Sequence, residues 1–316
     1  MKIVQVTDTH DDLAGCQHMV SAISRVGNYD MLIVTGDIVP GYAAQGFSNL
    51  TSVTPTYALA IGNHDVWTSE TQAGEPSSWD FTKRISQNSA YETYFKNNPK
   101  MDSTITIEPN STWWYKDLPD CRILGLDYTV LGEQIANETQ WLNNMLAECE
   151  QENIPIFIAS HHIGYNYVLN ENSDFTDPHR KNWLKQDAEM FKNVYTFQKS
   201  GYDLIADHCD NHGLRVIAWI TGHMHYDMLL TSNNTNKFPI FILASTYHDE
   251  WTDLFRNKSG LWQNDAVVQS YEWDSINDTL LVTRYGTHVA NTGCLREFMV
   301  YDCAANKIIS GSARGI

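Results

Sequence analysis

Apolar positions along the chain follow two rhythms. Short unbroken runs, Ile3–Val6, Met31–Val34, Tyr57–Ile61, Ile156–Ala159 and Val216–Ile220, read as strands buried on both faces. Between them lie longer stretches with apolar residues at helical spacing. Leu13, Cys16, Val20 and Ile23 predict a helix from Asp11–Asp12 to Gly27, a natural C-terminal stop. Trp141, Leu142, Met145, Leu146 and Cys149 predict a second helix over Glu138–Glu152. A third is predicted over Asp203–His212, closed by Gly213. Acidic residues open all three, where the helix dipole favours them. Strands alternating with helices predict an α/β layered fold.

Two regions break the alternation. The stretch Thr68–Thr104 is polar, aromatic and weakly periodic, with Pro76 and Pro99. It is expected to be a long insertion or lid over whatever site the flanking strands make, with a solvated surface excursion as the alternative. After Pro239, Val267–Trp273, Thr279–Tyr285 and Glu297–Asp302 predict further strands, with a turn at Asn277–Asp278. They are expected to form a second, mostly antiparallel sheet packed on the first. With no repeat, low-complexity tract or linker, residues 1–316 read as one two-sheet domain with an insertion at about 68–104 and a strand-rich part at 239–316.

Composition narrows the partners. Hydrophobic residues make up 42% and charged residues 19%, so the chain can build a core and is not disordered. Lys and Arg number 21 against 38 Asp and Glu, a net charge of −17 that repels nucleic acid and anionic membranes. No apolar run is long enough to cross a bilayer. Met1 leads directly into a strand without the regions of a secretory signal. The six cysteines are scattered and form no C-x-x-C pair, which favours a reducing compartment. A cytoplasmic location is expected, with a phage virion or cell surface as the alternative.

The chemistry lies in the residues that close each apolar run: Thr7–Asp8–Thr9–His10, then Thr35–Gly36–Asp37, Gly62–Asn63–His64–Asp65, Ser160–His161–His162 and Gly222–His223–Met224–His225. In open α/β sheets the carboxyl ends of strands are where ligands bind. Imidazole and carboxylate together suit Zn, Fe, Mn or Ni. Asp8 and His10 are two apart, as are His223 and His225, so in extended chain each pair points to one side. Any one of these segments is an ordinary loop; five in this order, each after an apolar run, make a metal site the better reading.

The set Asp8-x-His10, Gly36–Asp37, Gly62–Asn63–His64–Asp65, His161–His162 and Gly222–His223-x-His225 resembles the calcineurin-like metallophosphoesterase superfamily, over residues 8 to 225. The region Trp113–Leu146 is similar, more loosely, to the strand and helix before the fourth motif in bacterial and phage-tail members. The resemblance implies an αββα sandwich and two divalent or trivalent metal ions. One would be held by Asp8, His10, Asp37 and His225, the other by Asp37, Asn63, His161 and His223, with Asp37 bridging. His64 would face the scissile phosphate as leaving-group acid, oriented by Asp65, while a hydroxide shared by the metals attacks phosphorus. Many members carry proline soon after the paired histidines; here Ile163–Gly164 come next. The expected activity is hydrolysis of a small phosphate ester, leaning to diesters because the 68–104 stretch offers an extended wall. The alternative is a non-catalytic binding or structural module in a phage or cell-surface assembly. Asp127 and His162 are expected beside the site, with a packing role for His162 as the alternative. Asp207, His208, Asp210 and His212 read as a solvated helix end, with a second metal site as the alternative.

Overall fold

Each of the five apolar runs contributes a strand. The computed structural model describes residues 1–39, 47–69, 79–162, 192–223, 228–230, 237–243, 268–285 and 298–311. One seven-stranded sheet holds β1 (Lys2–Val6), β2 (Met31–Val34), β3 (Ala58–Leu59), β13 (Val268–Asp274), β14 (Thr279–Tyr285), β15 (Phe298–Asp302) and β16 (Lys307–Gly311). Their spatial order is β16-β15-β14-β13-β1-β2-β3. A second seven-stranded sheet holds β6 (Thr106–Ile107), β7 (Trp114–Leu118), β8 (Cys121–Gly125), β9 (Ile156–Ala159), β10 (Val216–Thr221), β11 (Met228–Leu230) and β12 (Ile240–Ile242), in the order β11-β12-β10-β9-β8-β7-β6. A hairpin of β4 (Trp67–Ser69) and β5 (Trp79–Arg84) stands apart.

β1, β2 and β3 run parallel, as do β8, β9, β10 and β12. These central strands are buried throughout or nearly so, which is why they read as continuous apolar runs. The C-terminal strands are antiparallel, but they do not build a sheet of their own. β13 pairs with β1, so the C-terminal hairpins extend the N-terminal sheet. Alternation along a strand reports its exposed face and carries no record of which edge it joins. Aromatic rings fill the space between the sheets: Tyr271 of β13 meets Phe157 of β9 and Phe241 of β12 at 5.7 and 5.3 Å between centroids.

The long helices are α1 (Leu13–Val26), α5 (Glu133–Glu152) and α6 (Lys192–His212); α2 (Ser48–Val53), α3 (Asn63–Val66) and α4 (Gln87–Ala90) are short. Asp12 caps α1 by accepting from the Gly15 N–H at 2.8 Å, and the helix stops at Gly27, φ 78°. α1 packs on β1, β13 and β14 of the first sheet. α5 and α6 pack on each other; Arg122 of β8 reaches Glu148 of α5 at 2.8 Å, and the rings of Tyr202 of α6 and Trp219 of β10 stack. Helices on both sides of two facing sheets complete the αββα sandwich.

The 68–104 stretch divides. Residues 70–78 lie outside the described residues. From α4 onward the chain turns into the core, where Ala90, Tyr94 and Phe95 are buried. The Tyr94 hydroxyl donates to the Asp65 carbonyl at 2.6 Å, and Tyr57 bridges to Met101. A one-turn π-helix, Tyr91–Lys96, gives those aromatics a spacing that matches neither the helical nor the strand period.

Candidate metal centre

The carboxyl ends of β1, β2 and β3 in one sheet and of β9 and β10 in the other meet at a common rim. Hydrogen bonds continue past the strands there: Asp8 N donates to Gly36 O at 3.0 Å, His10 N to Asp37 O at 3.0 Å, and Gly222 N to His161 O at 2.8 Å. The side chains they carry converge. One cluster is Asp8, Asp37 and His161; a second is His10, Asp37 and His64; a third is His161, His162 and His223. Within each, one ligating atom per residue lies within 4.8 Å of the others. Asp37 belongs to the first two and His161 to the first and third.

Asp37 is the hub. Its Oδ2 lies 3.1 Å from His161 Nε2 and 3.9 Å from His64 Nε2, while its Oδ1 accepts from the His64 backbone N–H at 2.8 Å. His161 Nε2 also lies 3.1 Å from Asn63 Oδ1 and 4.0 Å from Asp8 Oδ1. Asp8 Oδ2 accepts from the Thr7 hydroxyl at 2.6 Å and the His223 N–H at 3.0 Å. Asp8, His10, Asp37, Asn63, His161 and His223 are all buried. His225 lies outside the described residues, as does the Ile163–Gly164 pair after the two histidines.

The backbone is strained where these residues sit. Asp8, His10, Asp37 and His223 all have positive φ, from 45° to 69°. Non-glycine residues held there cost about 1–3 kcal/mol each and gather at functional sites. Two glycines are dictated by close approach. A Cβ on Gly62 would lie 2.2 Å from Asp37 Oδ1, and one on Gly222 would lie 1.8 Å from Thr7 Oγ1 and 2.6 Å from Asp8 Oδ2.

Burial alone would raise the Asp37 carboxyl, but His161, His64 and His10 hold it well below the usual carboxylate range. Burial would lower His161, but Asp37 and Asp8 raise it to about 9. Burial and the neighbouring His223 and His161 push His162 well below its ordinary value. The buried carboxylates thus draw protons onto the neighbouring imidazoles, a place that a cation would take over. The histidine tautomers fit as well. His161 Nδ1 faces the Thr35 carbonyl at 2.6 Å and His10 Nδ1 the Val39 carbonyl at 3.2 Å. A carbonyl only accepts, so Nδ1 carries the proton and Nε2 is left to ligate. The donor set therefore fits metal ions, with Asp37 able to serve two.

Asp65 faces backbone amides of both loops. Its Oδ2 accepts from the N–H groups of Gly62 and Asp37 at 2.8 and 3.0 Å, and its Oδ1 from Ile38 and Val39 at 2.8 and 3.4 Å. It ties the loop after β2 to the loop after β3. Burial pushes its carboxyl up, the Asp37 charge adds to that, and the amide bonds oppose it. Asp127 lies past the end of β8, buried, facing Arg84 at 3.5 Å and the Thr112 hydroxyl at 2.5 Å. His208 turns to α5, bonding Glu150, and no metal-sized group forms around it among the described residues. The threonines escaped sequence reasoning. Thr7, Thr35 and Thr221 each close a strand just before a ligand, a repeat visible in the chain, and their hydroxyls and carbonyls hydrogen-bond around the ligand loops.

The chain belongs to the calcineurin-like phosphoesterases: the model of that family matches residues 1–227. No curated protein sequence matches. Among solved structures, a dimetal phosphatase from Danio rerio is 10% identical, with 91% of this chain and 96% of that one covered at a TM-score of 0.51. A putative 5′-nucleotidase from Staphylococcus aureus is 12% identical, covering 87% of this chain and 51% of that one at 0.45. At such identities the first of these speaks for the shared fold. Among the described residues no helix is long and apolar enough to cross a membrane.

Proposed function

We propose that the protein hydrolyses a small phosphate ester with two metal ions held at the rim. Asp8, His10, Asp37 and His225 would hold one ion, and Asp37, Asn63, His161 and His223 the other. Bound there, the ions would supply Lewis acidity toward the phosphate oxygens and a nucleophilic water. The observation that carries this reading is the Asp37 carboxylate, which lies within 4.8 Å of ligating atoms of Asp8 and His10 from the first set and of His161 from the second.

The chain's own groups do the rest. His161 and His10 are held in the ligating tautomer by backbone carbonyls. Asp65 fixes the two loops that deliver Asp37 and Asn63. His64 is the group placed to act on substrate: its side chain is 20% exposed, its Nε2 faces the shared carboxylate, and its backbone is anchored on that carboxylate's other oxygen. A proton on His64 Nε2 would pass to the departing ester oxygen. The lean to diesters rests on the β4–β5 hairpin, which rises directly from the motif carrying His64. Its first residue, Trp67, is buried, with its ring 6.2 Å from that of His162.

Elemental analysis of the purified protein, with a hydrolysis screen of mono- and diesters in Mn²⁺, tests the reading. Two metals per chain and hydrolysis in the wild type are expected. Asp37→Asn should lose at least one metal together with activity; a fully metallated, active variant would remove the bridging role. Full metal loading with no hydrolysis of any ester would favour a binding module.

A further inference from the structure

Beneath the candidate centre a buried glutamine joins the two sheets. Gln5 of β1 is fully buried. Its Nε2 donates to the Thr35 hydroxyl and to the Thr221 carbonyl, both at 2.8 Å, and its Oε1 accepts from the Tyr271 hydroxyl at 2.6 Å. Chemistry fixes the amide's direction. The Thr221 carbonyl can only accept, so the NH₂ end must face it, and the oxygen is left for the Tyr271 phenol, which donates.

Both bonds made by Nε2 lead to a ligand. Thr35 comes directly after β2, and its carbonyl accepts from His161 Nδ1 at 2.6 Å and from the Thr7 hydroxyl at 2.9 Å. Thr7 in turn bonds Asp8. Thr221 ends β10, with Gly222 and His223 directly after it. Thr35 belongs to the first sheet and Thr221 to the second, so one amide spans the seam that the ligands straddle. Other bonds cross the seam, His223 N–H to Asp8 and Trp114 Nε1 to the Leu59 carbonyl among them, while ring packing holds the rest, and apolar burial has no direction. A metal site needs its ligands placed to within about 0.5 Å, which directional bonds provide.

We propose that Gln5 and Tyr271 are positioning residues of the metal centre. Gln5 sets the distance between the loop that orients His161 and the loop that carries His223. The Tyr271 hydroxyl, from the C-terminal part of the chain, anchors the other end of the amide. Without it Oε1 is a buried acceptor that has lost its donor, and the amide loses the bond that fixes it opposite the two threonines. The proposal rests on the dinuclear reading of the rim.

The test is Mn²⁺ titration of the chelated wild type, Tyr271→Phe and Gln5→Met, monitored by electron paramagnetic resonance. Metal-free thermal melts and kcat and KM on the esters found by the screen accompany it. Tyr271→Phe removes one oxygen atom, and its metal-free melt should stay near that of the wild type. Its Mn²⁺ affinity should fall about tenfold or more, as outer-shell changes do. The exchange-coupled two-metal signal should weaken, and kcat should fall more than KM changes. Gln5→Met should lose more. Thr35→Ser keeps the hydroxyl that accepts from Gln5 and should load metal as the wild type does; Thr35→Val keeps the shape without the hydroxyl and should not. Wild-type affinity and coupling in Tyr271→Phe, or equal loading of the two Thr35 variants, would overturn the proposal. A wild type that loads two metals but cleaves no ester would sink the hydrolase reading, and the positioning role would still stand or fall on the titration. A wild type that loads no metal would overturn both.

Discussion

His64 differs from its neighbours in one respect: it is open to solvent where they are closed. The buried side chains around it face each other, whereas the His64 ring packs edge-on against His10 at 4.6 Å between centroids, its side chain 20% exposed. A group that donates a proton to substrate needs this position, and a ligand does not. His64→Ala should therefore keep both metals and lose activity by about 10²–10⁴-fold, the usual contribution of a positioned acid. The loss should be larger for alkyl than for nitrophenyl esters, because a poor leaving group depends more on the proton. Equal losses across leaving groups, measured as kcat/KM on a graded series, would remove His64 from that role.

At the scale of elements, α5 contains a buried acid that the site does not use. Glu138 accepts from the Asp127 N–H at 2.7 Å through Oε1, while its Oε2 has no hydrogen-bond partner among the described residues. Burial, then the Asp127 charge, push its carboxyl well above the ordinary value of 4.5. A raised acid holds its proton in the folded state after the unfolded chain has released it. Stability therefore falls as pH rises from the unfolded value toward the folded one, by about 1.4 kcal/mol per pH unit while the states differ by a full proton. Glu138→Gln keeps the bond to Asp127 and has no proton to lose. Urea unfolding at several pH values should show the variant matching the wild type near pH 4 and exceeding it at pH 8. Parallel curves would mean that Glu138 is not protonated in the fold. This residue also shows what the sequence conceals. The stripe Trp141, Leu142, Leu146 and Cys149 is legible because burial repeats at the helical period. The start of α5 at Glu133 is not, because Ile135 is the one large apolar residue before Trp141, too little to show a period. The convergence of Asp8, His10, Asp37, His161 and His223 was legible for the same kind of reason: strands deliver their last residues to one rim, so order and spacing carried the geometry. The C-terminal strands were recognisable as strands, but their partner β1 is at the other end of the chain, a pairing no local pattern encodes. The Asp65 role was hidden because its partners are backbone amides, which every residue but proline has.

Over the whole molecule, the charge of −17 and the two buried carboxylates at the rim make different demands on a cation. Diffuse self-repulsion is relieved by any salt, since exposed charges are screened over about 8–10 Å at ordinary ionic strength. The rim is relieved only by ions that enter it, and such ions stabilise by mass action. At a hundredfold excess over Kd, one site adds about 2.7 kcal/mol. With an unfolding entropy of about 2.1 cal/mol/K per residue, each kcal/mol moves the midpoint by about 1.5 °C in a chain of 316 residues, so the chelated protein should gain about 4 °C per occupied site in Mn²⁺. The gain should saturate at low Mn²⁺ concentration, exceed that from KCl at equal ionic strength, and shrink in Asp37→Asn. Differential scanning calorimetry across those conditions separates the two effects. A shift that simply tracks ionic strength, or that survives intact in Asp37→Asn, would place the stabilising cation on the surface and leave the rim without a measurable affinity for metal.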